Sequence, residues 1–173
     1  MKQIKSLFPA VSTWLSKDNI IKEQVKKDKN IVYGAQSIKK HIGIFARPTQ
    51  DWDIYSKTPR RSAIKLERNL DRRSGEDIYY LTSSKFHKGT YKIYHKGADK
   101  RKGTADDIGV ADFSKLKRIK TTVKNGIRYS ELSESIKDKK KALKDPQYAF
   151  RHQKDREDLN RIRTFKKIRR YLL

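Results

Sequence analysis

The sequence predicts an α+β fold: a mixed β-sheet core of roughly four to six strands with flanking helices and a C-terminal helical part. Three observations carry this. Short apolar or alternating runs such as "NIVYGAQ", "DWDIYS" and "IGVADFS" have the character of strands. Between and after them stand stretches with apolar residues at helical spacing, above all "KTPRRSAIKLERNLDRR" and the chain from Ser130 onward. Nine Tyr, six Phe and two Trp in 173 residues supply a core of modest size for one domain.

Taken in order, "KDNIIKEQVKKD" (17–28) suits a short basic helix, and Ile31–Tyr33 a buried strand broken by Gly34. "SIKKHIG" follows as a helical turn or two closed by Gly43. In "DWDIYS", Asp51, Asp53 and Tyr55 share one strand face, and Trp52 and Ile54 share the other. Thr58 is placed as the N-cap of the next helix with Pro59 at its first position; Ala63, Leu66 and Leu70 form its apolar stripe. Ile78–Leu81 and Tyr91–Tyr94 are the next strands. The basic loop "HKGADKRKGTADD" leads into "IGVADFS", a short strand carrying Asp112. "LKRIKTTVKNGIRY" suits a hairpin turning at Asn125-Gly126. Two helices finish the chain, from about Ser130 to Lys144 and from Tyr148 on; Leu159, Ile162, Phe165, Ile168 and Leu172 are the expected stripe of the second.

This gives three regions: residues 1–30 as an N-terminal basic helical segment, 31–125 as the α+β core, and 126–173 as a C-terminal helical region. The absence of cysteine excludes thiolate metal sites, disulfides and a cysteine nucleophile, and fits a reducing compartment. No run of about 18 apolar residues exists, so no membrane span is expected. The opening "MKQIKSLFPAVSTWLS" lacks a small-residue cleavage site and is not read as a signal peptide. The expected setting is cytoplasmic or inside a nucleoprotein particle.

The charge balance is extreme: 44 Lys and Arg against 20 Asp and Glu, a formal net charge of +24. So much like charge opposes compaction unless a polyanion relieves it, and nucleic acid is the usual one. The clusters hold Arg60 and Arg61, Lys100, Arg101 and Lys102, Arg151, and Lys166, Lys167, Arg169 and Arg170. Their contacts would be with phosphates, independent of base sequence and sensitive to salt. Tyr79, Tyr80, Tyr91, Tyr94 and Phe86 interleave with such charges; some of these rings belong to the core and others are free to stack unpaired bases.

Against that background Asp51 and Asp53 stand out. Carboxylates at i and i+2 of a strand project to one side and repel, unless a cation lies between them. A divalent metal resolves this, and Mg²⁺ or Mn²⁺ suits such oxygen ligands together with substrate phosphates. The plainer alternative is a solvated strand face paired to nearby Lys or Arg. Gly34 ends a strand just before a helix, where backbone N–H groups can approach a triphosphate. Asp112 ends a later strand that can lie beside the first and bring a third carboxylate.

Gly34-x-x-x, then "R-x-x-x-D-x-D" (Arg47, Asp51, Asp53), then a strand ending in Asp112 resembles the nucleotidyltransferase superfamily with the DNA polymerase β-like fold. Within it, "RHQKDREDL" (Arg151, Lys154, Asp155, Asp158) is similar to the R-x-K-D-x-x-D motif of the AbiEii-type toxin branch. The resemblance runs from about residue 31 to 163 and implies a nucleotidyltransferase-like core. It implies Asp51, Asp53 and Asp112 as catalytic metal ligands, and Gly34, Ala35, Ser37, Arg47 and Lys154 as nucleotide contacts. There are two departures. Ala35 stands where the family usually has Gly or Ser. One extra residue between Arg151 and Lys154 turns the arginine by about 100° on a helix. The same segment also suits plain surface pairs, Arg151–Asp155 and Lys154–Asp158, at i,i+4.

Two functions follow as expectations. One is metal-dependent transfer of a nucleoside monophosphate from an NTP to an RNA or DNA acceptor. The other is a catalytically silent relative that binds or packages nucleic acid.

Overall fold

Seven extended runs and five helices account for most of the computed structural model, which describes residues 9–172, with side chains from residue 17. Residues 1–8, which hold the start of the stretch not read as a signal peptide, lie outside the described residues. In chain order the elements are α1 (Pro9–Lys27), β1 (Ile31–Tyr33), α2 (Gly34–Ile42), β2 (Trp52–Ser56), α3 (Pro59–Ser74), β3 (Tyr79–Ser83) and β4 (Tyr91–His95). Then come β5 (Ile108–Lys115), β6 (Thr121–Lys124), β7 (Ile127–Ser130), α4 (Leu132–Ala142) and α5 (His152–Tyr171). Short 3₁₀ turns cover Gly43–Phe45 and Pro146–Arg151. No helix among the described residues is long and apolar enough to cross a membrane.

All seven strands form one mixed sheet, ordered β3-β4-β5-β2-β1-β7-β6. This exceeds the four to six expected, because the basic hairpin around Asn125-Gly126 adds its two strands at the β1 edge. Both turn residues have positive φ, 54° and 75°, the geometry that the Asn-Gly pair favours. The division expected at residue 125 falls at the tip of this hairpin, and β7 beyond it pairs in parallel with β1. β2 pairs antiparallel with β1 and parallel with β5.

One sheet face carries the main core. Val32, Trp52, Ile54, Ile93, Ala111 and Phe113 pack there against Ile20, Ile21 and Val25 of α1 and Ala63, Leu66 and Leu70 of α3. The expected α3 stripe is therefore buried as read. Thr58 holds the expected N-cap position, but its side chain makes no capping bond; Ser56 Oγ accepts the Thr58 N–H instead, at 3.1 Å.

A second cluster joins Ile38 and Ile42 of α2 to Ile162 of α5, with Phe45, Leu132, Ile136 and Phe165 around them. Here the expected α5 stripe is corrected. Ile162 is buried, but Leu172 is 79% exposed and Ile168 is also at the surface. The buried face begins a turn or two earlier, with Asp155 and Asp158, because α5 meets α4 and α2 only as far as Phe165.

Trp52 anchors the main core, 3% exposed, with its indole N–H donated to Asp18 Oδ1 at 3.0 Å. Trp52→Ala should cost ~3–5 kcal/mol in denaturant unfolding followed by circular dichroism. A loss below ~1 kcal/mol would contradict this packing.

Candidate active site

Because side chains alternate along a strand, the face opposite Trp52 and Ile54 presents Asp53 and Tyr55. Register then lines up a row across four strands. Tyr33 of β1 lies beside Asp53 of β2, Asp53 beside Asp112 of β5, and Asp112 beside Lys92 of β4. Two like charges thus sit side by side at the centre of the sheet. Lys92 Nζ reaches Asp112 Oδ2 at 2.6 Å. Below the row, the rings of Tyr33 and Tyr55 stack at 3.8 Å between centroids, with Lys117 Nζ 5.6 Å above Tyr55. The Tyr33 hydroxyl and Ser114 Oγ share a hydrogen bond of 3.1 Å, and Ser114 Oγ shares another with Thr90.

Gly34 closes the row from the β1 side. Its φ is +64°, and a Cβ built on it would lie 2.0 Å from Asp53 Oδ2. No side chain fits in that space, so the start of α2 abuts the Asp53 carboxylate directly. No side chain caps this helix start, which leaves its first N–H groups available to an anion.

The electrostatics follow from the crowding. Burial, then the charges of Asp51 and Asp112, push the Asp53 carboxyl up to about 7; Arg151 and Lys92 pull the other way. Burial also raises Asp112, opposed by its contact with Lys92. Burial and the Asp53 charge drive the Tyr33 hydroxyl upward too.

The other expected residues divide into two groups. Asp51 precedes β2, is exposed, and accepts a hydrogen bond from Thr49 Oγ1 at 2.7 Å. It borders an open depression of about 410 Å³ with Arg47, Gln50, Ile108 and Gly109. Among the described residues no three His, Asp or Glu side chains are gathered closely enough to hold a metal ion as they stand. Asp51 and Asp112 nevertheless act electrostatically on Asp53. Ala35 is buried, and Ser37 is wholly so: its hydroxyl donates to Ser130 O at 2.7 Å and accepts from Ser130 Oγ at 3.1 Å. Ser37 is thereby hydrogen-bonded within the core, between α2 and β7.

Arg47 and Arg151 turn inward. Arg47 Nε pairs with Asp158 Oδ1 at 3.1 Å, and Arg151 grips Asp155 through Nε at 2.9 Å and an amino nitrogen at 3.2 Å. Between them buried Lys139 bridges Asp155 and Asp158, at 2.8 and 2.7 Å. Of the two pairs drawn from "RHQKDREDL", Arg151–Asp155 therefore forms, while Asp158 faces Lys139 and Arg47. Lys154 is exposed and forms no ion pair with Asp158. Arg60, Arg61, Lys100, Arg101, Lys102, Lys166, Lys167, Arg169 and Arg170 are all exposed, with Lys100 paired to Glu76 at 2.7 Å.

Sequence reading missed Lys92 and Lys139. Lys92 sits in an alternating strand with nothing to mark it. For Lys139 a signal existed: two acids three apart on an otherwise apolar helix face require a buried cation.

No protein-family model and no curated protein matches the chain. Among solved structures, the Megavirus polyadenylate synthase matches with a TM-score of 0.69 at 19% identity, covering 92% of this chain and 33% of that one. This chain thus corresponds to about a third of the viral enzyme. JHP933 from Helicobacter pylori matches over 73% of this chain and 55% of its own, at 14% identity, with a TM-score of 0.43, too low to bear on the fold. The chain has a nucleotidyltransferase-like α+β fold, the class expected from its acidic strands. The fold it shares is, more particularly, that of the Megavirus polyadenylate synthase.

Two outcomes test the geometry. Unfolded, Asp53 titrates near ~4; folded, at about 7. Between those values the folded state keeps a proton that the unfolded state has lost, so stability falls as pH rises through the window. Asp53→Asn removes this loss. It should stabilise the protein by roughly 3–4 kcal/mol at about pH 8 and change little at about pH 4, in denaturant titrations. Secondly, Asp158→Ala takes the carboxylate from Arg47 and leaves buried Lys139 with Asp155 alone, and should cost ~3–5 kcal/mol. A change under ~1 kcal/mol would show the network to be ornamental.

Proposed function

We propose that the chain transfers a nucleoside monophosphate from an NTP to a hydroxyl of a nucleic-acid acceptor. The observation that carries this is the Asp53–Asp112 pair, in register on neighbouring parallel strands, with the side-chain-free start of α2 against Asp53. The donor set consists of carboxylate oxygens alone, which fits a hard divalent cation such as Mg²⁺ or Mn²⁺. Asp53 and Asp51 would hold it, with Asp112 as the third ligand. When bound, such a cation neutralises phosphate charge and favours departure of pyrophosphate.

The chain's own groups supply the rest. The free N–H groups at the start of α2 face the nucleotide phosphates. Asp112, raised by burial and positioned by Lys92, accepts the proton of the acceptor hydroxyl as its oxygen bonds to the α-phosphorus and pyrophosphate leaves. Arg151 offsets negative charge beside Asp53. The exposed cations draw in the acceptor without reading its sequence. Adenylate addition to an RNA end is the first reaction to try, since the fold is that of a polyadenylate synthase. Kinship with the AbiEii-type branch rests on "RHQKDREDL" and the segment that leads into it.

The silent reading is favoured by Ala35, by the net charge of +24 and by the Lys92–Asp112 ion pair, which occupies a would-be ligand. Incubation with each labelled NTP, Mg²⁺ and RNA or DNA separates the two. Label should enter polymer, a chelator should stop it, and Asp51→Asn with Asp53→Asn should lower it by on the order of a thousandfold. Nucleic-acid binding should stay the same or tighten in that variant. No transfer with any NTP, and a double variant that binds as the wild type does, would leave the silent module.

A further inference from the structure

Four aromatic rings from two distant segments meet beside the acids. Phe86 and His87 belong to the β3–β4 loop; Tyr148 and Phe150 belong to the 3₁₀ turn Pro146–Arg151. The Phe86 and Phe150 rings lie 6.3 Å apart, tilted by 30°; His87 and Tyr148 stack at 5.9 Å and 14°; Tyr148 and Phe150 are 6.5 Å apart. Phe86 is 83% exposed and Phe150 77%; His87 is exposed and Tyr148 half-buried. Rings this open add little to stability, since the apolar area they remove from water is small.

Their surroundings point to an anionic, flat partner. Lys85 and Lys88 are exposed on the same loop, and Arg151 follows Phe150 directly. The platform also adjoins the reaction centre: His87 acts electrostatically on Asp112, and Arg151 on Asp53. In a chain of net charge +24, an apolar patch ringed by cations is ill suited to a basic or neutral protein surface. Open ring faces suit nucleobases, and only unpaired bases offer theirs in return.

We propose that Phe86, His87, Tyr148 and Phe150 form a stacking platform for the unpaired bases of a single-stranded nucleic acid. Lys85 and Lys88 meet its phosphates, and its terminus is led toward Asp112. The part about the terminus rests on the transfer reaction proposed above; the binding itself does not.

The test uses the full chain and a short single-stranded RNA ending in a fluorescent adenine analogue whose emission stacking quenches. Wild type should quench it. Phe86→Ala with Phe150→Ala should lose the quenching and bind about tenfold more weakly. The slope of log affinity against log salt should not change, because no phosphate contact is removed. Lys85→Ala with Lys88→Ala should do the converse and flatten that slope. A blunt duplex of the same length should bind the aromatic variant as it binds wild type. Tyr171→Ala, an exposed ring at the far end of α5, should have no effect.

Unchanged single-strand binding in the double aromatic variant would overturn the platform and assign the rings to another partner. Equal weakening toward duplex would overturn it too, as would quenching by the free nucleotide analogue that only the aromatic rings support. Transfer activity keeps the two proposals apart. Weakened binding in a chain that transfers nothing sinks the reaction and keeps the platform; full transfer with unchanged binding sinks the platform and keeps the reaction.

Discussion

The parallel pairing of β2 with β5 is the constraint on which the rest depends. It sets Asp53 beside Asp112 on one face and Trp52 and Ile54 beside Ala111 and Phe113 on the other. A slip of one residue would turn the tryptophan out and the acids in. The buried face thus holds the carboxylates at a separation their own repulsion opposes. The site borrows stability from the core behind it, and Lys92, Arg151 and the start of α2 temper the repulsion from three sides.

The C-terminal part serves this site and is no appendage to it. Lys139 of α4, Arg151 and Arg47 surround two buried acids of α5. Burial alone would raise Asp155, but its contacts with Lys139 and Arg151 outweigh that and leave it below the usual carboxylate range. Removing one partner of such a network costs much, because the others keep an uncompensated buried charge. It ties α5 to α4 and to the segment before β2, and so brings Arg151 and the turn ahead of it up to the acids. The sequence pattern "KDREDL" is in this light a structural clamp.

How much was legible beforehand depended on whether a residue's role is local. Strands β1, β2 and β5, helix α3 and the Asn125-Gly126 hairpin follow from alternation, helical spacing and turn chemistry, and all formed where those signals stand. The opposite faces of Asp53 and Trp52 were readable for the same reason. The pairing of Asp112 with Lys92 was not, since register between separate strands leaves no mark in either. For Ser37 and Arg47 the family resemblance implies nucleotide contacts, and their partners within the fold leave no mark near them in the chain. Both answer to partners far away, Ser130 and Asp158. The α5 stripe is displaced because apolar spacing does not reveal that Asp155 and Asp158 are buried with it.

The sheet order also sets a sequence of events during folding. The hairpins β3–β4 and β6–β7 join residues close along the chain and can close early. Asp53 and Asp112 lie roughly 60 residues apart, so the strands that carry them meet only after a large loop has closed. The repelling carboxylates are therefore brought together at a late step, when the core face of β2 and β5 already has α1 and α3 to pack against. An unfinished chain would display its cations and hairpins but no acidic centre: its positive field would precede the one place where negative charge is gathered.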